Sequence, residues 1–478
     1  MPAPTLRISA IDLYERPVAL RIPFRFGAAT VTAAPQAFVR VRIRLSDGRE
    51  ALGAAAELMI PKWFDKSPDK SNADNVADLR RALAAAADAY TAEPRALTAF
   101  GHFTAHYDEL IVAGAKADLN ALTANYGPAL IDRAVLDALC RALGVSFQTA
   151  VRANAPDIDS RLTPDLADFE FERFLSGLSP PATIAARHTV GLIDPISASD
   201  VTNRVGDGLP ETLEDVIGSY GNRYFKIKLG GNPDVDVARL LQIAAILDRL
   251  PHYAVTLDGN EQYADIATVA DFWCAFEAMP ALARLFEATL YLEQPMSRAL
   301  ALDVDVTPLV RTRPHLIDES DATLDAFPIA RALGYTGVSS KSCKGLYKSI
   351  LNAARCVRWN ADADKSRCFL SAEDLTTQAG LAIQQDLALV GLLGLKHVER
   401  NGHHYVNGFA GQGACDAEQQ GFLAAHPGLY EYREGGVRLA MHDGIINVAS
   451  LAAPGFASAA QPDWATLEPL GATVATTA

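Results

Sequence analysis

The sequence predicts an α/β protein in which a (β/α)₈ barrel follows a smaller α+β unit. The chain has 478 residues and a mass of 51.1 kDa, which is too long for one ordinary domain. Its first part alternates in the manner of β-strands and then becomes rich in helix-forming residues. From about Arg187 onward, short β-rich runs recur, and a helical stretch follows each of them. These observations favour two structural units, of which the second is the barrel.

The α+β unit is predicted from one strand and two helices. Apolar and basic residues alternate over Ala37–Leu45, which is typical of a half-buried antiparallel strand, and Ser46–Gly48 provides a turn. Alanine-rich segments at Asn75–Ala87 and Ala129–Leu143 favour helices, and Gly144 ends the second helix.

The barrel is predicted from eight short β-rich runs. They are His188–Leu192, Tyr224–Leu229, Tyr253–Asp258, Leu290–Glu293, His315–Asp318, Thr336–Lys341, Cys368–Ser371 and Leu395–Glu399. Four successive intervals between their polar ends, from Lys228 to Lys341, are 30, 35, 25 and 23 residues. One strand and one returning helix need roughly 30 residues, so the spacing indicates a βα repeat. A doubly wound sheet is the alternative, but no G-x-G-x-x-G motif follows an early strand.

The predicted boundaries divide the chain into three parts. Residues 1–150 form the capping unit, residues 151–415 form the barrel, and residues 416–478 form a C-terminal segment. A short hairpin strand is expected at Gly435–Leu439 in that segment. We expect the segment to pack back on the N-terminal unit, which it would complete.

The composition argues against several classes of function. The formal net charge of −14 repels phosphate backbones and anionic lipids, so neither a nucleic acid nor a membrane is an expected partner. No stretch offers the roughly 20 uninterrupted apolar residues of a spanning helix, and the first ten residues do not resemble a secretory signal. Six scattered cysteines without a C-x-x-C pair indicate free thiols in a reducing compartment, and we expect the cytoplasm.

Three carboxylates end successive predicted strands, namely Asp258, Glu293 and Asp318. Barrel active sites lie at the carboxyl ends of the strands, so these side chains are expected to be neighbours there. Without a cation they would repel one another and raise their own pKa values. An all-oxygen set of ligands favours Mg²⁺, or Mn²⁺, over Zn²⁺.

Lysines flank the predicted carboxylate set on both sides. Lys226 and Lys228 are two residues apart on one strand and therefore share a face, and Lys341 ends the strand after Asp318. A lysine that is desolvated beside other cations loses its proton more readily and can act as a base. Two such bases on opposite sides of one carbon suit the removal and return of a proton α to a carboxylate, with the metal stabilising the enediolate.

With these residues the sequence resembles the enolase superfamily, and within it the muconate lactonizing enzyme subgroup of the mandelate racemase/muconate lactonizing enzyme family. The resemblance covers about residues 15–450. The matching motifs are Lys226-Ile227-Lys228, Leu257–Asn260, Leu292–Pro295, Ile317–Ser320 and Lys341–Gly345.

The resemblance implies a modified TIM (β/α)₇β barrel with an N-terminal α+β capping domain that the C-terminal segment completes. It implies that the three strand-end carboxylates hold one Mg²⁺ and that Lys228 and Lys341 are the acid/base residues. Lys226 would then lie near the carboxylate of the substrate. A homo-oligomer is also implied.

Further residues are predicted to contact or cover the substrate. Phe24–Gly27 and Lys62–Phe64 lie where the cap loops of the family cover the site, and they would supply aromatic rings and a cation, Arg25, for an anionic substrate. The other predicted substrate contacts are Trp63, Asn260, Glu319, Glu373 and Glu399.

The chain departs from the family pattern at positions that concern the choice of substrate. Glu261 stands where Gln is usual, Thr376 stands where Glu is frequent, and the segment Leu58–Asn75 is longer than the usual specificity loop. His102 and His106 share a helical face, but without a Glu partner they are expected to be surface residues. His403 and His404 follow the eighth strand and could reach the site, but a surface loop is the favoured interpretation.

Together these features predict a Mg²⁺-dependent enzyme that removes the α-proton of a small carboxylate substrate and forms an enediolate. Racemisation or epimerisation is favoured, because a lysine is expected on each face of the reacting carbon. Cycloisomerisation and dehydration stay open, since the same intermediate serves all three reactions. A barrel that binds a metal without catalysis is the alternative from another class of function.

Overall fold

The computed structural model describes residues 3–27, 29–310, 313–361 and 367–471. Within these ranges the strands form a four-stranded antiparallel sheet, a closed barrel sheet with one added strand, and a separate two-stranded hairpin. The fold class predicted from the sequence, a TIM-type barrel with an N-terminal capping domain, is confirmed.

The capping domain packs helices against an antiparallel sheet. Its strands are β1 (Leu6–Phe26), β2 (Ala29–Leu45) and β3 (Glu50–Leu58), and its helices are α1 (Asn72–Ala92), α2 (Ala99–Lys116), α3 (Ala121–Ala124), α4 (Tyr126–Leu143), α5 (Phe147–Arg152) and α6 (Phe171–Gly177). Helix α4 lies so close to β3 that a Cβ atom on Gly53 would be 2.1 Å from the carbonyl oxygen of Ala134. Only glycine permits that approach of helix to sheet. Gly144 ends α4 in the left-handed conformation, with φ 68°.

The barrel contains eight parallel strands, and the pairing of its last strand with its first closes it. The elements are β4 (Thr183–Val190), α7 (Leu213–Tyr220), β5 (Tyr224–Lys228), α8 (Pro233–Leu247), β6 (Ala254–Asp258), α9 (Ile266–Ala278), α10 (Ala283–Glu287), β7 (Thr289–Glu293), α11 (Arg298–Ala301), α12 (Thr307–Val310), β8 (His315–Ile317), α13 (Ala326–Ala332), β9 (Gly337–Ser340), α14 (Leu346–Asn360), β10 (Phe369–Ala372), α15 (Leu381–Leu392), β11 (His397–Glu399) and α16 (Gly402–Tyr405). Two helices of four residues each connect β7 to β8, and only a four-residue helix follows β11. The regular βα alternation is therefore modified at two places.

The C-terminal part of the chain returns to the capping domain. It contains α17 (Asp416–Ala425), β12 (Tyr430–Arg433), β13 (Gly436–Leu439), β14 (Ile445–Asn447) and β15 (Glu468–Pro469). Strand β15 pairs with β1, where Tyr14 is opposite Pro469, and Arg16 forms an ion pair of 2.7 Å with Glu418. The exact boundaries at residues 150 and 415 stay predictions, and residues 472–478 lie outside the described ranges.

One apolar core runs from the capping domain into the barrel. Phe100, Tyr126 and Leu130 of the cap belong to the same cluster of buried side chains as Ile350 of α14 and Leu387 of α15. Both barrel helices follow strands that end at the predicted site, so this shared core fixes the position of the cap over the carboxyl end of the barrel.

The structure bears on two expectations drawn from the composition. All six cysteines are free, as predicted. In the part of the chain that the structure describes, no single helix is long and apolar enough to cross a membrane; Ile266–Ala278 and Pro280–Glu287 meet the criterion only as a pair, bent by 89°.

The prediction that the paired histidines lie on the surface is wrong. His102 and His106 are buried between α2 and its neighbours, and the Nε2 atom of His102 is 3.1 Å from the carbonyl oxygen of Leu6. His403 and His404 are buried as well, and burial lowers the pKa of both imidazoles. All four histidines pack in the core. They lie on helices, and the spacing of polar residues in the sequence did not indicate that they would be buried.

Candidate active site

Buried carboxylates and cations meet at the carboxyl ends of the barrel strands. We call this group the strand-end cluster, and all its members are at most 5% exposed. Its five carboxylates are Asp258, Glu293, Asp318, Glu373 and Glu399, and its five cations are Arg187, Lys226, Lys228, Lys341 and Lys344. Each cation of the cluster pairs with at least one of its carboxylates, which is what makes the burial of these charges tolerable.

Lys226 lies at the centre of the strand-end cluster. Its Nζ atom is 2.9 Å from Asp258 Oδ2 and 2.8 Å from Glu293 Oε2. It also lies 2.8 Å from Glu373 Oε2 and 2.9 Å from Glu399 Oε2. Burial alone would lower the pKa of Lys226, but the surrounding carboxylates outweigh burial and raise it, so the amine stays charged. Lys226 is therefore an internal counter-ion that is not among the residues lining the cavity, and its place near the carboxylate of a substrate stays a prediction.

Lys228 and Lys341 approach the site from opposite walls of the barrel. Lys228 is the last residue of β5 and Lys341 directly follows β9. These two strands are four positions apart in a closed ring of eight, so they face each other across the barrel. The Nζ atom of Lys228 is 2.6 Å from Asp258 Oδ2, and that of Lys341 is 2.5 Å from Asp318 Oδ2.

The pKa of Lys341 differs from the sequence expectation. Burial would lower this pKa, but the charge of Asp318 outweighs burial and raises it. The sequence argument gave most weight to the neighbouring cations, whereas the structure places a carboxylate in direct contact with the amine. Lys341 is therefore protonated in this arrangement, and it needs a change in the charge of Asp318 before it can accept a proton.

A small cavity lies above the strand-end cluster, and both lysines border it. The lining residues are Phe24, Phe26, Trp63, Lys228, Asn260, Lys341, Asp374, Leu375, Thr376 and Asn401. The Lys341 Nζ atom lies 4.3 Å from the centre of the Trp63 ring, a cation–π contact that removes the amine from water. The free volume is about 10 Å³, close to that of one water molecule.

Four charged side chains hold the loop between β3 and α1 over this cavity. We call them the cap clamp: Lys66 from the loop, and Glu261, Arg298 and Glu319 from the barrel. Lys66 Nζ is 2.6 Å from Glu261 Oε2 and 3.0 Å from Glu319 Oε1. Arg298 pairs with Glu261 at 2.8 Å and donates a hydrogen bond of 3.0 Å to the Trp63 carbonyl oxygen. Burial would raise the pKa of Glu261, but Arg298 and Lys66 outweigh it and lower that pKa.

The substitution Glu261→Gln should loosen the cap clamp. Gln carries no charge, so Lys66 and Arg298 lose their shared partner, and we expect the free energy of unfolding to fall by about 1.5–3 kcal/mol. Urea unfolding measures this change. Acrylamide quenching of Trp63 fluorescence should also increase, and comparison with a Trp63→Phe variant identifies the signal of Trp63. Glu50→Gln at an exposed ion pair is the matched control, expected to change stability by less than about 1 kcal/mol. Equal effects of the two substitutions would contradict the clamp.

The structure corrects the prediction for Arg25. Side chains alternate along β1, so Phe24 and Phe26 are buried against the cavity while Arg25 between them is exposed on the other face. The two rings cover the site, as the sequence predicted for this segment, but Arg25 contributes no cation to it.

Three predicted substrate contacts also have other roles. Glu373 and Glu399 point into the barrel below the cavity and bind Lys226, and Glu399 Oε1 accepts a hydrogen bond of 2.6 Å from Thr189. Glu319 belongs to the cap clamp. Strand-end position alone does not tell whether a side chain points up to the cavity or down into the barrel, and contact of these three residues with a substrate stays a prediction.

Three residues that border the cavity, Asp374, Leu375 and Asn401, were not predicted as site residues, and a fourth, Thr376, was named only as a departure that concerns the choice of substrate. Asp374, Leu375 and Thr376 follow β10, and Asn401 follows β11. Asp374 Oδ2 accepts hydrogen bonds from the backbone N–H groups of Asn401, at 2.8 Å, and Gly402, at 3.0 Å. Burial raises the pKa of Asp374, with Arg400 opposing it. Their common position, one to four residues after a strand, is the signal that could have identified them.

The predicted metal ligands suit a hard divalent cation in their chemistry. Asp258, Glu293 and Asp318 offer only carboxylate oxygens and are fully buried. In their present positions, however, no group of three His, Cys, Asp or Glu side chains among the described residues could hold an ion. The Lys226 amine already pairs with two of the three predicted ligands, Asp258 and Glu293. The donor set therefore fits Mg²⁺ or Mn²⁺, and an ion must compete with that amine.

Solved structures with the same fold include several enzymes. Muconate lactonizing enzyme from Pseudomonas fluorescens, complexed with muconolactone, gives a TM-score of 0.56 at 17% identity over 94% of this chain and 95% of that one. An enolase from Bradyrhizobium, complexed with magnesium and mandelic acid, gives 0.60 at 15% identity over 95% and 96%. The L-Ala-D/L-Glu epimerase from Bacillus subtilis gives 0.57 at 14% identity over 94% and 98%.

These likenesses extend over nearly the whole of each chain, so cap and barrel are arranged alike in all of them. The predicted resemblance to the muconate lactonizing enzyme subgroup is thus confirmed at the level of fold. No protein-family model matches the chain, and no curated protein sequence matches it. At such low identity the chemistry must be argued from the residues of this chain.

Proposed function

We propose that this chain is a metal-dependent enzyme that removes the proton α to a carboxylate, with Lys228 and Lys341 as opposed acid/base residues. The observation that carries the proposal is that both amines border one small cavity, although they come from opposite strands of the barrel. A carbon held between them has an amine on each face, which is the arrangement that proton removal and return require.

Asp258, Glu293 and Asp318 are the residues that would hold Mg²⁺, with Mn²⁺ as the alternative. Such an ion, when bound, supplies positive charge that stabilises the carboxylate as negative charge develops on it. If Asp318 held such an ion, its charge would stabilise the Lys341 ammonium less, which would favour the neutral amine that a base requires. A divalent cation and an anionic substrate bound together would offset part of each other's charge, which would lower the cost of burying them.

The remaining side chains of the cavity position the substrate and exclude water. Phe24, Phe26 and Trp63 form an apolar cover that strengthens electrostatic interactions beneath it. Racemisation or epimerisation is the outcome we propose, because Lys228 can take a proton from one face while Lys341 returns one to the other. Cycloisomerisation and dehydration begin with the same proton removal and need further groups on the substrate.

We also propose that the protein is cytoplasmic, forms a homo-oligomer and has a small-molecule carboxylate as its partner. Free cysteines, four of them buried, support a reducing compartment. The net charge of −14 supports a partner other than a nucleic acid or an anionic membrane.

Hydrogen–deuterium exchange at the α-carbon tests the proposed function. Enantiopure carboxylic acids are incubated in D₂O with the wild-type protein and Mg²⁺, and ¹H NMR follows the α-proton signal. We expect exchange with both enantiomers of at least one acid, and loss of exchange after EDTA treatment that added Mg²⁺ restores. Stabilisation of the protein by Mg²⁺ in thermal unfolding, without exchange of any acid, would instead favour a metal-binding barrel without catalysis.

A further inference from the structure

The backbone turn that carries Lys341 is bonded to the capping domain. The Nδ2 atom of Asn125 donates a hydrogen bond of 2.7 Å to the carbonyl oxygen of Lys344. The Lys344 N–H donates to the Lys341 carbonyl oxygen at 3.0 Å, and Ser342–Lys344 form a single turn of 3₁₀-helix. Asn125 is 3% exposed and Lys344 is 1% exposed, so water does not replace the bond between them. The capping domain therefore fixes the turn that directly follows Lys341.

A second contact joins the same turn to the capping domain. The Ser342 hydroxyl donates a hydrogen bond of 3.3 Å to Glu57 Oε2, near the end of β3. Glu57 is held in turn by the Arg133 guanidinium of α4, at 3.0 Å. Helix α4 begins directly after Asn125. Both contacts therefore come from one layer of the cap, in which α4 packs on β3.

Asn125 is itself fixed between two helices of the cap. Its backbone N–H donates to the Ala121 carbonyl oxygen at 3.0 Å, at the end of α3. Its carbonyl oxygen accepts a hydrogen bond of 3.1 Å from the Ala129 N–H, in the first turn of α4. A side chain with a fixed backbone loses little further freedom when it forms a bond. Asn125 is therefore able to define the position of the Lys344 carbonyl group.

The turn after Lys228 is held by a different part of the protein. The backbone N–H groups of Gly230 and Gly231 donate to the Asp236 carboxylate at 2.7 and 3.0 Å. Asp236 belongs to α8, the helix that follows the strand of Lys228. These bonds thus lie within the barrel, whereas the bonds at the Lys341 turn reach into the capping domain.

Resting on the proposed function, we propose that the capping domain positions Lys341 for proton transfer, with Asn125 as the positioning residue. The far end of the Lys341 side chain is fixed by Asp318 and by the ring of Trp63. A shift of the turn at the near end would therefore change the direction in which the amine faces the substrate. Misplacement of a reacting group by about 1 Å can cost about 100-fold in rate. Because the Lys228 turn is held within the barrel, only one enantiomer of the substrate depends on Asn125.

The test measures α-proton exchange from each enantiomer separately, and Lys341→Met identifies the enantiomer that depends on Lys341. For that enantiomer, Asn125→Ala should lower kcat by about 10–100-fold with little change in KM, because the substitution displaces a reacting group and removes no contact with the substrate. Exchange from the other enantiomer should stay at the rate of the wild type. Asn154→Ala is the matched control. It removes a similar bond, from Asn154 Nδ2 to the Ile158 carbonyl oxygen at 3.1 Å, which involves no barrel residue, and it should leave both rates unchanged.

Two results would overturn the inference while the proposed function stands. They are an equal loss of exchange from both enantiomers in Asn125→Ala, and no loss from either. If Asn125→Ala does not fold, Ser342→Ala removes the second contact and is measured in the same way. A smaller loss from the Lys341-dependent enantiomer alone supports the inference, and a loss from both enantiomers or from neither overturns it.

If the wild type exchanges no acid, the proposed function fails, and backbone hydrogen–deuterium exchange followed by mass spectrometry then decides on the contact alone. Asn125→Ala should raise deuterium uptake in peptides that contain residues 341–346, because the turn opens more often. Peptides that contain residues 228–232 should keep the uptake of the wild type. Unchanged uptake at residues 341–346, or an equal rise in both sets of peptides, would overturn the positioning role of Asn125.

Discussion

Replacing Lys341 with methionine should abolish α-proton exchange from one enantiomer of the substrate, and Lys228→Met should abolish it from the other. Methionine fills a similar volume under Trp63 but has no proton to give or take. General acid–base groups contribute about 10²–10⁴-fold to a rate, so losses of that size are expected for the affected enantiomer. Deuterium incorporation into each pure enantiomer measures both losses separately.

Loss of exchange from opposite enantiomers in the two lysine variants distinguishes two opposed bases from a single base. Lys396→Met is the matched control, because Lys396 is exposed and precedes β11 at the other end of the barrel. It should leave both exchange rates unchanged. Loss of both enantiomers in only one of the two lysine variants would indicate a single base, and unchanged exchange in both variants would refute the assignment.

Lys226→Met should destabilise the protein more than any other single substitution in the strand-end cluster. It leaves Asp258, Glu293, Glu373 and Glu399 converging on a position without charge. Removing one partner from a buried ion pair costs about 3–5 kcal/mol, because the other charge stays buried and unpaired. With four carboxylates affected, we expect a loss at or above the upper end of that range, measured by urea unfolding at pH 7.

Two companion measurements show whether charge is the cause of this loss. The double variant Lys226→Met/Glu399→Gln removes one of the repelling carboxylates and should recover part of the stability. Added Mg²⁺ should also recover part of it, because an ion and the Lys226 amine require the same carboxylates. A Lys226→Met variant as stable as the wild type would mean that the carboxylates are not held in place by this amine.

The barrel could be predicted from the sequence because its signals are local and repeated. Each strand is a short β-rich run, and the ionisable residues Lys228, Asp258, Glu293, Asp318 and Lys341 recur at the ends of successive runs. A period of roughly 30 residues then determines the architecture. The carboxyl ends of the predicted barrel strands agree with those in the structure to within two residues.

The roles of individual site residues could not be predicted in the same way. Whether Glu373 and Glu399 face the cavity or the barrel interior depends on the position of the Lys226 amine, whose contacts join five strands of the barrel. Arg25 was predicted at the site because of its charge, but side chains alternate along β1 and Arg25 faces outward. The clamp formed by Lys66 and Glu261 joins two domains, so no local pattern in the sequence could reveal it.

Strand β15 has a consequence for the synthesis of the protein. Tyr14 and its partner Pro469 are 455 positions apart (469 − 14). At about 5–20 residues per second, a ribosome needs about 20–90 s to make the chain between them. During that time Tyr14 and Glu15, the two residues of β1 that β15 covers, have no strand partner on that edge of the nascent chain, and such edges recruit other strands. The risk of aggregation at these two residues therefore falls on translation, until β15 pairs with them.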